Sequence, residues 1–302
     1  MSAPDKHHYL PVFYLNQWVT PEDKVIRYHR PMQDVVTHPI APKNTGYERG
    51  LYRLDGYAPE QSNAIDTGFM SAVVDNEGAQ AMQVLIAGDL ARMTPELGRA
   101  WVRFIMAMHV RHPARIEQIT EQVAEMTRES LMSNPEEYDA VRKPNDPPTL
   151  LAYVEQKLPE LIANRGKQLL PGIISHEAIG EIVRHMKWQT VGILRDDLDF
   201  LTCDRPLYMS HGISDERRFI AVPMSPRVVF LATRNADTFK SVLANGMNAL
   251  AKSLNEILAG QADKYVYAAH DRHLHLVEQQ LAKTTRVDRE RLDRKVSPPN
   301  DA

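Results

Sequence analysis

The sequence HHYLPVFYLN at residues 7–16 combines two adjacent histidines with a proline-started, aromatic-rich segment. Pro11 favours the first turn of a short helix, because its fixed φ angle and missing N–H cost nothing there. Leu10, Tyr14 and Trp18 follow at four-residue spacing and form one apolar stripe. We therefore expect this segment to pack on the core and to hold the two histidines in fixed directions at its edge.

The composition is that of a soluble globular protein, with 302 residues of which 43% are hydrophobic and 25% charged. A formal net charge of -3 gives no global basic footprint of the kind that accompanies duplex nucleic-acid binding. The single cysteine, Cys203, excludes an intramolecular disulfide and a cysteine-built zinc site. Because no signal segment and no apolar run of about 20 residues is present, we expect a cytoplasmic protein without a membrane partner.

Periodicity predicts helices in the first two thirds of the chain and strands after them. Helical spacing covers residues 66–90, Thr94 and Pro95 have the residue types of a helix start, and Pro113 is expected to interrupt that helix. A further continuous helix is predicted at residues 237–260. Strands are predicted at residues 24–28, 34–37, 50–54, 188–194, 198–203, 218–222, 228–232 and 264–267. Residues 195–197 predict a tight turn, and hence a hairpin of the two strands around them.

These elements predict a helix-rich α+β fold with a central antiparallel β-meander. We expect one domain over residues 1–285, with a polar, proline-bearing loop at residues 133–148 inside it. A charged tail at residues 286–302 is expected to be disordered. The absence of βαβ alternation, of G-x-G-x-x-G and of a Walker loop argues against Rossmann and P-loop nucleotide binding.

His7 and His8 are the first candidates for a functional role. A histidine near neutral pH can act as a base, an acid or a ligand. The alternative is that one histidine packs on an aromatic ring while the other faces solvent, and the spacing alone favours this alternative.

Glu77 is the second candidate, because it lies four residues after Val73 and four before Ala81 on an apolar helix face. A carboxylate there needs a partner. Arg111 and Arg115 extend the apolar stripe of the next helix, so they are the expected partners. The pattern fits a buried structural ion pair, or a carboxylate held for metal binding or proton transfer.

Asp204 is the third candidate, because it ends a predicted strand and precedes a loop. A sheet fixes the direction of such a side chain while the loop opens the site. The alternative is an aspartate that begins a turn and bonds its own backbone.

Six stretches share the order and spacing of one known family. They are residues 7–15, residues 42–44 with Tyr52, Glu77, residues 108–115, residues 201–206 and residues 222–226. In this order they resemble the bacterial family of domains of unknown function 4238 (DUF4238), whose patterns include HHYVPQFYL, PKN and TSD. Val12, Cys203 and Arg205 depart from the family's usual Gln, Ser and Asn. The resemblance implies no activity, but it implies that His8, Glu77, Arg111 and Asp204 recur as a set.

Two hypotheses follow. The first is a hydrolase of phosphate-containing substrates, a nuclease or phosphodiesterase, with His8, Glu77 and Asp204 as catalytic groups. Arg111, Arg115 and His7 would bind the substrate, since the guanidinium fork suits phosphate, and Mg²⁺ or Mn²⁺ is a conceivable cofactor. The second is a non-catalytic binding or defence-associated module in which the same groups form a buried structural network. The oligomeric state and the identity of any substrate stay open.

Overall fold

The structure is a computed structural model that describes residues 6–195, 197–210, 215 and 217–281. It confirms a helix-rich α+β fold with antiparallel sheets. The tail predicted at residues 286–302 lies outside the described residues. The helices are α1 (Val12–Leu15), α2 (Pro59–Ser62), α3 (Asn76–Ile86), α4 (Pro95–Val110), α5 (Pro113–Met132), α6 (Pro135–Asp139), α7 (Leu150–Lys157), α8 (Pro159–Ile174), α9 (Glu177–Arg184), α10 (Ala236–Val242), α11 (Met247–Gln261) and α12 (Leu274–Gln280). A π-helical segment, Ile65–Asp75, leads directly into α3.

The strands form three antiparallel sheets within the described part of the chain. They are β1 (Lys6–His8), β2 (Val25–His29), β3 (Val36–Ile40), β4 (Tyr47–Arg49), β5 (Lys187–Gly192), β6 (Thr202–Cys203), β7 (Tyr208–Met209), β8 (Phe219–Pro223), β9 (Val228–Thr233) and β10 (Tyr265–Ala268). The first sheet pairs β1 with β4, the second has the order β3-β2-β10-β6, and the third has the order β5-β9-β8-β7. The consecutive strands β7, β8 and β9 form a meander, which contains the predicted strands at residues 218–222 and 228–232 but not the one at residues 198–203.

The hairpin predicted around residues 195–197 is wrong. β5 pairs with β9, whereas β6 pairs with β10 in the second sheet. The backbone before β6 bonds elsewhere: the Phe200 N–H donates to the Pro226 carbonyl at 2.8 Å, and the Leu201 N–H donates to Asn255 Oδ1 at 2.8 Å. The strand predicted at residues 50–54 is also wrong, because Gly50, with φ 65°, turns the chain after β4.

The segment at residues 7–16 joins the two larger sheets, as its apolar stripe predicts. The Tyr14 hydroxyl donates to the Pro223 carbonyl of β8 at 2.7 Å and lies 2.8 Å from Thr202 Oγ1 of β6. The Trp18 indole N–H donates to the Phe200 carbonyl at 2.9 Å. Since these groups are buried, each bond also removes the cost of an unpaired polar atom in the core.

Gly46 fixes the path of the chain after β1. Its carbonyl accepts from the N–H groups of Tyr9 at 2.9 Å and Leu10 at 3.0 Å. Its φ of 64° is left-handed, and a Cβ at this position would lie 2.9 Å from Leu10 Cβ. Only glycine meets both conditions without strain.

The helix breaks follow the sequence signals in one place and depart from them in another. Thr94 caps α4 by accepting from the Leu97 N–H at 3.3 Å, and α5 begins at Pro113 as predicted. The helix predicted at residues 237–260 is instead two helices, because Gly246, with φ 81°, separates α10 from α11.

Arg111 lies at the end of a helix. Because α4 ends at Val110 and α5 begins at Pro113, Arg111 and His112 form the connection between these two helices.

We expect Gly166→Ala to lower the free energy of unfolding by about 1–3 kcal/mol, as overpacking does. Gly166 lies where α8 packs on α5, and a Cβ there would be 2.5 Å from Thr120 Cα, a backbone atom that cannot rotate away. Gly172→Ala in the same helix is the matched control, since its Cβ would meet no atom within 4 Å. Urea unfolding measures both, and equal midpoints for the two variants would contradict the close contact of α5 with α8.

Candidate functional site

His8 ends β1 opposite Tyr47 of β4, with its ring edge-on to the tyrosine at a centroid distance of 5.6 Å. The half-buried ring hydrogen-bonds to the backbone of Lys43, and its Nε2 is buried without a hydrogen-bond partner among the described residues. Nδ1 must therefore donate to the Lys43 carbonyl, which leaves the lone pair of the neutral ring on Nε2. Burial lowers the pKa of His8, against the raising effects of the Lys43 carbonyl and the Asp75 charge, so the ring is neutral at pH 7.

Arg111 is 1% exposed at the end of α4. Its Nη2 donates to Asp75 Oδ1 at 2.7 Å, and its guanidinium carbon lies 5.7 Å from the centre of the Phe104 ring. Nε and Nη1 are buried and have no hydrogen-bond partner in the part of the chain that the structure describes. Unpaired buried donors on a charged group are costly. Arg111 therefore has two nitrogens, Nε and Nη1, that are available to donate hydrogen bonds to an anion.

Asp75 is the carboxylate of this site, and its side chain is 21% exposed. Burial raises the pKa of Asp75, while the charge and hydrogen bond of Arg111 and the charge of His8 lower it. In turn, Asp75 raises and Arg111 lowers the pKa of His8. These three side chains therefore form one electrostatically connected group, named here the His8–Asp75–Arg111 cluster.

Glu77, predicted as the acidic member, is not the partner of Arg111. Its Oε2 accepts from Arg103 Nη1 at 2.6 Å, in a pair whose side chains are 46% and 25% exposed respectively. The π-helical segment before α3 has a wider turn than an α-helix, so it changes which residues face the core. The prediction of Glu77 assumed a 3.6-residue period, which does not hold across that segment. Asp75 therefore faces Arg111 in its place.

His7 is fully buried behind the cluster and is engaged at both ring nitrogens. Its Nδ1 accepts from the Tyr52 N–H at 2.9 Å, so Nε2 carries the proton and donates to Asn63 Oδ1 at 3.1 Å. The ring also stacks on Tyr52 at 5.5 Å. Both ring nitrogens of His7 therefore bind protein groups, and its predicted substrate-binding role stays a prediction. Asp66 lies close by, and burial raises its pKa against the lowering effect of His7.

Asp204 is 3% exposed, and both of its carboxylate oxygens accept from the backbone of β10 and the residues before it. Oδ1 accepts from the Asp263 N–H at 2.8 Å, and Oδ2 accepts from the N–H groups of Lys264 at 2.6 Å and Tyr265 at 2.9 Å. Burial raises the pKa of Asp204 to about 6, although the three amide bonds lower it. Asp204 thus joins β6 to the start of β10, and its charge adds to the effect of burial that raises the pKa of Tyr9. The predicted catalytic role of Asp204 stays a prediction.

Arg115, the other predicted phosphate ligand, is exposed in the first turn of α5. Its Nη1 donates to Gln118 Oε1 at 2.6 Å, on the same helix. Pro113 redirects the chain between Arg111 and Arg115, so the four-residue spacing no longer places them on one face. Of the six predicted residues, the structure thus brings together His8 and Arg111 and adds Asp75.

The described residues contain no group of three or more His, Cys, Asp or Glu side chains that could hold a metal ion. The cluster offers one histidine and one carboxylate, which falls short of the ligand set that Mg²⁺ or Mn²⁺ prefers. The described residues therefore do not fit the Mg²⁺ or Mn²⁺ site that the sequence suggested.

Two cavities lie away from the cluster. One of about 700 Å³ lies beside α10 and α11, lined among others by Tyr208, Phe219 and Leu254. Another of about 340 Å³ lies beside Trp188 and the start of α4. None of the predicted site residues lines either cavity. A ligand at the cluster would approach through the exposed parts of His8 and Asp75.

The fold and the site define an α+β protein with three antiparallel sheets in its described residues and a partly buried histidine–aspartate–arginine cluster. The chain belongs to the family described as proteins of unknown function, DUF4238, which it matches over residues 6–272. No curated protein and no solved structure shows significant similarity to it. Among the described helices, none is both long and apolar enough to cross a membrane.

Proposed function

We propose that the protein is a hydrolase of phosphate-containing substrates, a phosphodiesterase or nuclease that acts at the His8–Asp75–Arg111 cluster. The observation that carries this proposal is the pair of buried, unpaired nitrogens Nε and Nη1 on Arg111. Guanidinium binds phosphate oxygens with strong, charge-assisted hydrogen bonds. The single cysteine supports a reducing compartment, so we place this activity in the bacterial cytoplasm.

His8 supplies the base in this mechanism. Its Nε2 is the free nitrogen of a ring that burial keeps neutral, so it can accept the proton of an attacking water. The water oxygen bonds to phosphorus, the ester P–O bond breaks, and the leaving oxygen takes a proton from solvent. Arg111 stabilises the charge that develops on the phosphoryl oxygens, and Asp75 positions Arg111 through the 2.7 Å hydrogen bond.

Hydrolysis of p-nitrophenyl phosphate and bis(p-nitrophenyl) phosphate tests the proposal. We expect His8→Gln to lower kcat by about 10²–10⁴-fold, the usual contribution of a general base. Because neutral His8 is the active form, the wild-type rate should fall on the acid side, with a midpoint below the ordinary histidine pKa of about 6.5. His185→Gln is the matched control, since His185 is exposed at the C-terminal end of α9 and contacts Glu181 of that helix.

Arg111→Lys and Arg115→Lys give a second matched pair. The first keeps the buried charge but removes the guanidinium fork, so it should raise KM and lower kcat. The second changes an exposed arginine outside the cluster and should leave both constants unchanged. A folded wild-type protein that hydrolyses neither ester, or a His8→Gln variant with the wild-type rate and pH profile, would contradict the proposal.

A non-catalytic binding module is the second candidate, and one observation favours it. The polar groups of His7 and Asp204 are engaged in structural hydrogen bonds, as a buried structural network requires. Under this alternative, an anion still binds Arg111, but the protein hydrolyses neither p-nitrophenyl phosphate nor bis(p-nitrophenyl) phosphate.

A further inference from the structure

A second group of basic side chains lies on one face of the second sheet, outside the cluster. Antiparallel register places His38 of β3 opposite Arg27 of β2, and places His29 of β2 opposite Tyr265 of β10. Directly opposed residues share a face of the sheet. Arg27, His29 and Tyr265 are half-buried and His38 is exposed, so the group reaches solvent at the β3 edge. We name these four residues the Arg27 face.

The ring contacts hold the Arg27 face in a fixed arrangement. The guanidinium carbon of Arg27 lies 4.8 Å from the centre of the Tyr265 ring. The His29 ring centroid lies 6.2 Å from that of Tyr265, at an interplanar angle of 57°. A cation held on an aromatic ring keeps its N–H edge available for a further ligand, because the ring occupies its flat face.

Two nitrogen atoms of this face are buried and unused. Arg27 Nε and His29 Nδ1 have no hydrogen-bond partner among the residues that the structure describes. Buried polar atoms are normally paired with protein or ligand groups or with ordered water. Because these two unpaired nitrogens lie on neighbouring basic side chains, they indicate a ligand that accepts a hydrogen bond from each of them.

The positive charge of the Arg27 face favours an anionic ligand. Burial lowers the pKa of His29, and the charges that lower it further come from Arg27 and His38. No carboxylate forms a salt bridge with Arg27 within the described residues, whereas Arg111 has Asp75. An unneutralised guanidinium flanked by two imidazoles attracts an anion that accepts several hydrogen bonds.

We propose that the Arg27 face binds the phosphate group of a small ligand, either free phosphate or a mononucleotide. Arg27 Nε donates to one phosphate oxygen, and His29 Nδ1 donates to another in its protonated or Nδ1–H form. His38 lies at the solvent edge beside the bound anion. This site is independent of the His8–Asp75–Arg111 cluster, and its occupancy does not require hydrolysis there.

Imidazole ¹H–¹⁵N spectra of the full chain test the site while sodium phosphate, AMP or adenosine is added. The signals of His29 and His38, assigned with His29→Asn and His38→Asn, should shift saturably with phosphate and AMP but not with adenosine. An affinity for AMP at least about tenfold above that for phosphate identifies a nucleotide as the ligand, and equal affinities identify free phosphate. Sodium chloride at equal ionic strength controls for screening.

Arg27→Gln should weaken phosphate binding by at least about tenfold, and Arg27→Lys, which keeps the charge, should weaken it less. Arg99→Gln is the matched control, because Arg99 is exposed and paired with Glu96 on its own helix. Arg111→Lys should leave the His29 and His38 shifts intact even if hydrolysis fails. Shifts that do not saturate, that chloride reproduces, or that both Arg27 variants leave unchanged would overturn the proposal.

Discussion

Asp75→Ala is expected to lower the free energy of unfolding by roughly 3–5 kcal/mol, the cost of leaving a buried charge unpaired. Arg111 is 1% exposed, and Asp75 Oδ1 accepts the hydrogen bond of its Nη2 at 2.7 Å. Chemical denaturation with circular dichroism detection measures the loss.

Glu77→Ala is the control that the chain offers, two residues away. Its pair with Arg103 is 46% and 25% exposed, so solvent screens it and its removal should cost less than about 1 kcal/mol. A loss for Glu77→Ala as large as that for Asp75→Ala would show that Asp75 is not the residue that stabilises Arg111. A small loss for both would mean that water already satisfies the guanidinium.

Asp204→Ala is expected to lower the free energy of unfolding by about 1–3 kcal/mol, because three partly buried N–H donors lose their shared acceptor and water replaces it only in part. Those donors belong to Asp263, Lys264 and Tyr265, so the change separates β6 from the start of β10. Amide hydrogen exchange should report faster exchange at these three positions. Unchanged protection of the three amides would contradict the structural role of Asp204.

Asp204→Asn reveals the pH dependence of the same residue. The folded pKa of about 6 lies above the unfolded value of about 3.9. Wild-type protein therefore gains stability from this group below about pH 4 and loses it as the pH rises through 6, by roughly 2–3 kcal/mol in total. The variant does not titrate here, so its deficit relative to wild type should be larger at pH 4 than at pH 7. Parallel stability curves for the two proteins would contradict this sign.

The sequence predicted local features whose causes are local. A helix begins after Thr94 and Pro95, and it is interrupted before Pro113. Both features were predictable, because a capping side chain and a missing proline N–H act on backbone groups only a few residues away. Tyr14 and Trp18 are buried in the core, as their four-residue helical spacing predicted. The α+β class followed from the order of such elements.

The site was only partly predictable. His8 stood out as a titratable group beside the segment that begins at Pro11, and Arg111 stood out because it interrupts an apolar stripe. The choice of Glu77 assumed an α-helical period across residues 65–75. The π-helical turn there has no signature in spacing, so Asp75 was missed. The acceptor role of Asp204 was missed because it depends on β10, about sixty residues later in the chain. Long-range partners of this kind are set by tertiary packing.

A crystal structure of the protein soaked with orthovanadate tests the central claim most directly. We predict a vanadate with oxygens about 2.7–3.2 Å from Arg111 Nε or Nη1, on the side that His8 Nε2 faces. Ordered waters on both arginine nitrogens, with no vanadate at the cluster, would contradict it and would identify the polar residues as a hydrated structural network.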